Sequence, residues 1–324
     1  MNFAHLHLLL NHFPIIGTVI GLGLFLLSFL GKNQDLRRGS LIIFASVALL
    51  TIPTFMSGVG AQLKITPEPG VSTVLIERHE GAAMLSLWFM EVTGALALVA
   101  LWQSHYRSHP RPWNVVSILV FSLLTAGLMA RTGTTGGDIR HPEILANQEA
   151  PGTEGTIGSI IHKFEPTPAR FTEAMIFSKW CTAVLMDLHF FGLVLIIGPI
   201  GIINLRIMGF PKQIPVAPLF KLLPLAMIGV AINVITGMCA FIGMPELYVY
   251  DAALWLKMLA LLLLGVSLAA FYLTSIVYRV EHLGAGEDAP FSAKLVAASS
   301  LFLWFAVITL GRYIQLFGGT IPRG

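Results

Sequence analysis

The chain reads as an all-α, polytopic integral membrane protein, with about eight transmembrane helices set out as two four-helix bundles. Three observations predict this. Hydrophobic residues fill 55% of the 324 positions, charged residues only 11%, and the mean hydropathy is +0.78; soluble domains carry about 25% charged residues. About eight apolar stretches approach the ~20 residues a helix needs to cross ~30 Å of hydrocarbon. These stretches are continuous, unlike the alternating segments of about 10 residues that build a membrane barrel. A helix also pairs its own backbone groups, as the bilayer core demands.

In order, the expected spans are Phe13–Leu30, Ser40–Ala61, Ala82–Trp102, Trp113–Ala130, Trp180–Ile203, Leu219–Phe241, Ala253–Val277 and Leu295–Phe317. The longest connection, Arg131–Lys179, is rich in Gly, Pro, Thr and Glu and separates four spans from four. This predicts an N-terminal histidine-rich domain over 1–142, an extracytoplasmic connection over 143–179 and a C-terminal domain over 180–324. Loops of that length are often functional or partner-binding, and are otherwise tolerated surface linkers. Only Met1–Leu10 precede the first span, without Lys or Arg, so the first run is expected to persist as a helix rather than a cleaved signal. No sequence repeat relates the halves.

Basic residues crowd the short loops on one side: Lys32, Arg37 and Arg38; Arg107 and Arg111; Arg206, Lys212 and Lys221; Arg279 and Lys294. The positive-inside rule then places both termini outside, periplasmic for a bacterial inner-membrane protein. The formal charge of +3 is dispersed, with no basic stripe, so nucleic acid is not an expected partner. Cys181 and Cys239 fall in spans, where small apolar packing is expected rather than a disulfide. No C-x-x-C-H occurs for covalent haem.

Imidazole is costly in lipid and a good ligand for metals and haem. His5, His7, His12, His79, His141 and His162 fall at the same predicted membrane face, and His189 lies within a span. A spacing of seven puts His5 and His12 on one helical face, with His7 elsewhere. Pro14 suits a helix start or kink. Gly17 and Gly21 admit a close neighbour, either a helix or a macrocycle. Glu80 and Glu91 share a face of the third span and are candidate proton-route groups, or silent partners of a His or Arg. Beyond the fourth span, glycines around Gly136 and Gly137 let backbone approach a ligand or form a turn, and Arg131 and Arg140 can meet haem propionates or local acids.

His12-Phe13-Pro14, Gly58, His79, and Gly136-Gly137 with His141 resemble a widespread four-helix membrane domain suspected of binding b-type haem. The resemblance spans about residues 1–142. It implies haem b held by two imidazoles from His7, His12, His79 and His141. Three or four of the set His5, His7, His12, His79 and His141 would alternatively suit copper or zinc.

In the second half, Asp187 and His189 are two residues apart and so serve different neighbours. Gly192, three residues on, leaves room beside the His189 ring. His189 can ligate haem, pair with an acid or hydrogen-bond a quinone. Lys257 either reaches hydrocarbon or snorkels, and Arg312 can bind a propionate, an acidic lipid or Glu246. His189, Gly201–Arg206, the Lys257 helix and Trp304 with Gly311-Arg312-Tyr313 resemble the copper-resistance D-type membrane domain over about 180–317, which implies a shared fold.

Together these features predict a b-type haem electron-transfer subunit, working between quinone and an extracytoplasmic cytochrome or other redox subunit. The cofactor-binding set is His12, His79, His141, His189, Arg140 and Arg312, with Glu80, Glu91 and Asp187 on proton routes. A copper or other metal permease and a non-catalytic anchor of a larger complex are the alternatives.

Overall fold

The computed structural model describes residues 2–66, 72–106, 109–140, 164, 172–173, 178–274 and 276–317. Among these the chain is helical and contains no strand. It divides into two compact units, Met1–Phe171 and Thr172–Gly324. Seven helical segments are long and apolar enough to cross a membrane, and an eighth, shorter apolar helix includes Ala252–Leu268. The protein is an integral membrane protein.

In the first unit, α1 (Phe3–Leu10) and α2 (His12–Leu30) run on as one span, followed by α3 (Gln34–Ile65), α4 (Thr73–Tyr106) and α5 (Pro112–Arg140). The span therefore starts about three turns before the expected Phe13. Asn2 caps it, its side chain accepting from the His5 amide. The break at Asn11 precedes Pro14, which has no amide hydrogen to donate and is tolerated in a first turn. Asn33 caps α3 through the amides of Asp35 and Leu36, at 2.9 and 3.1 Å. Consecutive spans pack together, and α2 closes onto α5.

Helix α5 continues ten residues beyond the expected span end, so Arg131–Arg140 are helical rather than the start of a loop. The hydroxyls of Thr132, Thr134 and Thr135 turn back onto helix carbonyls, which satisfies them without leaving the helix.

In the second unit, α6 (Lys179–Met208), α7 (Val216–Phe220) and α8 (Leu223–Gly243) are followed by α9 (Pro245–Val249), α10 (Ala252–Leu273), α11 (Ile276–Glu281) and α12 (Phe291–Phe317). Helix α6 pairs with α8, α10 pairs with α12, and the two pairs join through α6 and α12. Helices α8 and α10 make no extensive contact with each other.

Lipid is as apolar as leucine, so small residues and polar pairs must hold such helices together. Gly17 faces Val47 and Gly21 faces the Phe44 ring, so the Gly-x-x-x-Gly of the first span packs a helix. Gly94 crosses directly against Ala48. Gly192 and Gly229 meet where α6 crosses α8; a Cβ on Gly229 would stand 2.6 Å from the Gly192 carbonyl oxygen. Polar rungs at α4 positions seven apart bind α4 to α5: Ser86 to Thr132 at 2.7 Å, and Thr93 to Thr125 at 3.0 Å. Large apolar side chains, among them Val19, Val116, Leu123, Val194 and Phe302, point outward to lipid. Cys181 and Cys239 form no disulfide.

At the opposite end of the second unit, the fully buried Arg206 of α6 ties two connections together. Its guanidinium donates to the carbonyls of Ile214, Gly284 (2.8 Å) and Glu287 (3.2 and 3.3 Å). Asp288 sits there between Lys294 (2.8 Å) and Lys212 (2.9 Å).

Gly229→Leu forces α6 and α8 apart and costs about 1–3 kcal/mol, read as a lower melting temperature of the detergent-solubilised chain. Arg206→Leu leaves three carbonyls without their donor and costs at least about 3 kcal/mol, measured the same way. For Asp288, the hydrogen bonds from Lys294 and Lys212 hold its carboxyl down at about 2. The ionised staple is therefore present above the ordinary carboxylate pKa of about 3.9 and is lost only as pH falls through about 2, which a carboxyl NMR titration checks.

Candidate functional site

Among the described residues three histidines turn inward, and each meets the same device on a neighbouring helix: a hydroxyl residue followed by glycine. His7 of α1 meets Ser57-Gly58 of α3, His79 of α4 meets Thr135-Gly136 of α5, and His189 of α6 meets Thr236-Gly237 of α8.

His7 lies with Nδ1 3.1 Å from the Thr54 carbonyl oxygen and 3.3 Å from Ser57 Oγ. A carbonyl only accepts, so the proton is on Nδ1 and Nε2 carries a bare lone pair. The Ser57 hydroxyl has already given its proton to the Thr54 carbonyl at 2.7 Å. The ring lies against Gly58, where a Cβ would stand 2.9 Å from Cε1. Any larger residue there would expel the imidazole.

His79 repeats the arrangement. Its Nδ1 is 3.1 Å from Thr135 Oγ1, whose own proton is committed to the α5 backbone, 3.1 Å from the Arg131 and Thr132 carbonyls. Nδ1–H therefore donates, and Nε2 again stays bare. A Cβ on Gly136 would lie 3.0 Å from His79 Cε1. His7 and His79 come from different helices. Both lie at the end of the bundle where α1 and α4 begin and α3 and α5 finish. Neither Nε2 has a hydrogen-bond partner among the described residues, and neither is sealed off within the protein.

In the second unit His189 Nδ1 is 2.8 Å from Thr236 Oγ1, which gives its proton to the Ile232 carbonyl at 2.7 Å. The glycine beside this ring is Gly237, 3.6 Å from Cε1 to a Cβ placed there. Gly192, expected to make this room, instead meets Gly229 and Asn233.

The histidine set is therefore redrawn. His5 and His12 share the predicted face, but that face is exposed, so neither joins His7 and His79. His7 is the inward residue because it lies about 200° around the helix from His5. His141, His162 and the side chain of Arg140 lie outside the described residues. Among the described residues no three His, Cys, Asp or Glu side chains are placed to hold a metal ion together.

The carboxylates take separate settings. Glu80 accepts from Gln62 Nε2 at 3.0 Å, at the same end as His79. Glu91 lies deeper in α4, with a buried Oε1 that no described group contacts by hydrogen bond. Asp187 is exposed on α6, apart from the inward face of His189, and Arg312 is exposed on α12. Lys257 of α10 points across to Gly311 of α12, with Nζ 3.4 Å from where a Cβ would sit.

The donor set of the first unit suits bis-imidazole ligation of haem. Two neutral rings come from different helices, each with Nδ1–H anchored as a ligating histidine requires and Nε2 unengaged. Each inward histidine meets a Ser/Thr-Gly dipeptide on its partner helix, at 57–58, 135–136 and 236–237, whereas the same dipeptide at 93–94 and 132–133 faces Ala48 and Ile15.

No curated protein and no solved structure matches the chain. Residues 172–317, within the second unit, match the model of a family of unknown function (DUF6644).

Proposed function

We propose that the first unit binds b-type haem through His7 and His79, and that the chain is a membrane electron-transfer subunit working between quinone and an extracytoplasmic redox partner. The observation that carries this reading is the pair of imidazoles with Nδ1–H anchored and Nε2 bare at one end of a bundle. Bound there, haem supplies a one-electron couple. The chain's residues do the positioning. Thr54, Ser57 and Thr135 fix each tautomer and ring plane, and Gly58 and Gly136 let the rings seat against the neighbouring helix. Gln62 orients Glu80 beside the site as a place to hold a proton. The histidine-bearing end faces the periplasm of a bacterial inner membrane in this reading, by the charge distribution of the short loops.

The full chain, expressed with ample haem, is expected to show a Soret band and the reduced-minus-oxidised bands of a low-spin bis-imidazole haem. His7→Ala and His79→Ala abolish the low-spin bands, whereas His5→Ala and His12→Ala retain them. Thr135→Val weakens haem binding by about 10-fold or more, as the loss of an outer-shell partner does. A wild-type chain without a Soret band sinks the proposal, as does one whose low-spin spectrum survives both inward substitutions.

A further inference from the structure

Asp251 stands at the corner where α9 gives way to α10 and is only 4% exposed. Its Oδ1 caps α10, accepting from the Ala253 amide at 2.7 Å. Its Oδ2 is buried and has no hydrogen-bond partner. Among the described residues Asp251 has no ion pair either, since Lys257, the cation of the same helix, turns to Gly311 of α12. A buried carboxylate oxygen without a donor is costly, and such a group calls for a missing partner.

The corner itself is fixed. The Asp251 amide donates to the Tyr248 carbonyl at 3.1 Å, and the Trp255 indole N–H donates to the Val249 carbonyl at 2.8 Å. Val249 is fully buried, and the Tyr248 ring packs on Phe241 of α8.

A cavity of about 410 Å³ lies at this corner, with Asp251 in its wall. That volume is within the range of about 300–1,000 Å³ typical of small-molecule sites. Around the carboxylate stand Leu256 of α10, Leu310 and Tyr313 of α12, and Tyr250 of the corner. Tyr250, Leu256 and Tyr313 are exposed, so the cavity is reached from outside the protein. Both tyrosines lie at helix ends, the depth at which such rings gather in a bilayer.

The chemistry narrows the ligand. A carboxylate oxygen only accepts, so an anion or a bare carbonyl does not answer it. A metal ion needs several oxygen ligands, and the described residues provide no group of three acids, histidines or cysteines. A quaternary ammonium brings charge but no N–H. A primary ammonium on a short alkyl stem brings both, and its stem suits the leucines and the aromatic rings.

We propose that this cavity binds a primary ammonium group, donated to Asp251 Oδ2, from either an aminophospholipid headgroup or a small soluble amine.

Two arms test it on the full chain. In detergent, equimolar phosphatidylethanolamine and phosphatidylcholine are offered and bound lipid is counted by native mass spectrometry. In phosphatidylcholine nanodiscs, ethanolamine is titrated by calorimetry in a large excess of sodium chloride. Preference for the primary amine of about 10-fold or more in the first arm assigns the lipid; saturable binding in the second assigns the soluble amine. Asp251→Asn keeps a capping side chain on α10, so the fold is expected to persist while binding is lost. Leu310→Trp, which fills the cavity from α12 without touching the carboxylate, is expected to abolish binding as well. No primary-amine binding in either arm overturns the proposal, as does binding that survives Asp251→Asn or Leu310→Trp.

Discussion

An imidazole placed among apolar helices has two nitrogens, and the surrounding protein must answer for each. In this chain the answer is the same three times. One nitrogen donates to a hydroxyl or carbonyl on the next helix, and the glycine that follows the hydroxyl residue lets the ring come close. The other nitrogen is left over. That asymmetry organises the structure, because the hydroxyls that receive the imidazoles sit in the same seams that hold the helices together. The α4–α5 seam shows this directly, with His79, Ser86 and Thr93 recurring every seven residues, each opposite a threonine.

Such seams serve two ends at once. A Ser or Thr whose proton returns to its own helix is satisfied there and still accepts from across the interface. It therefore fixes the tautomer of a histidine without needing a charge, and leaves the second imidazole nitrogen unengaged. Lys257 is the exception. It has no comparable receiver among the described residues.

The span pattern was legible in the sequence because apolar run length reports it directly. The packing role of Gly17 and Gly21, and the shared face of His5 and His12, were also readable from helical spacing. What spacing cannot supply is the absolute rotation of a helix. It relates His5 to His12 but does not tell which of His5, His7 and His12 faces the bundle, so the outward His12 was favoured over the inward His7. The glycine beside His189 was misplaced for the same reason: Gly192 is near in sequence, whereas Gly237 arrives from another helix. The glycine- and threonine-rich run after Ala130 reads as loop by composition, yet hydroxyls bonded to the helix backbone and to His79 keep it helical to Arg140.

The crossing of Gly192 and Gly229 bears on mechanics. At this crossing the two backbones are in direct contact, with no side chain separating α6 from α8. At its far end, α6 is moored by Arg206 to both neighbouring connections. Arg206 thereby joins the end of α6 both to the loop before α7 and to the loop that leads into α12, so the two helix pairs share one anchor.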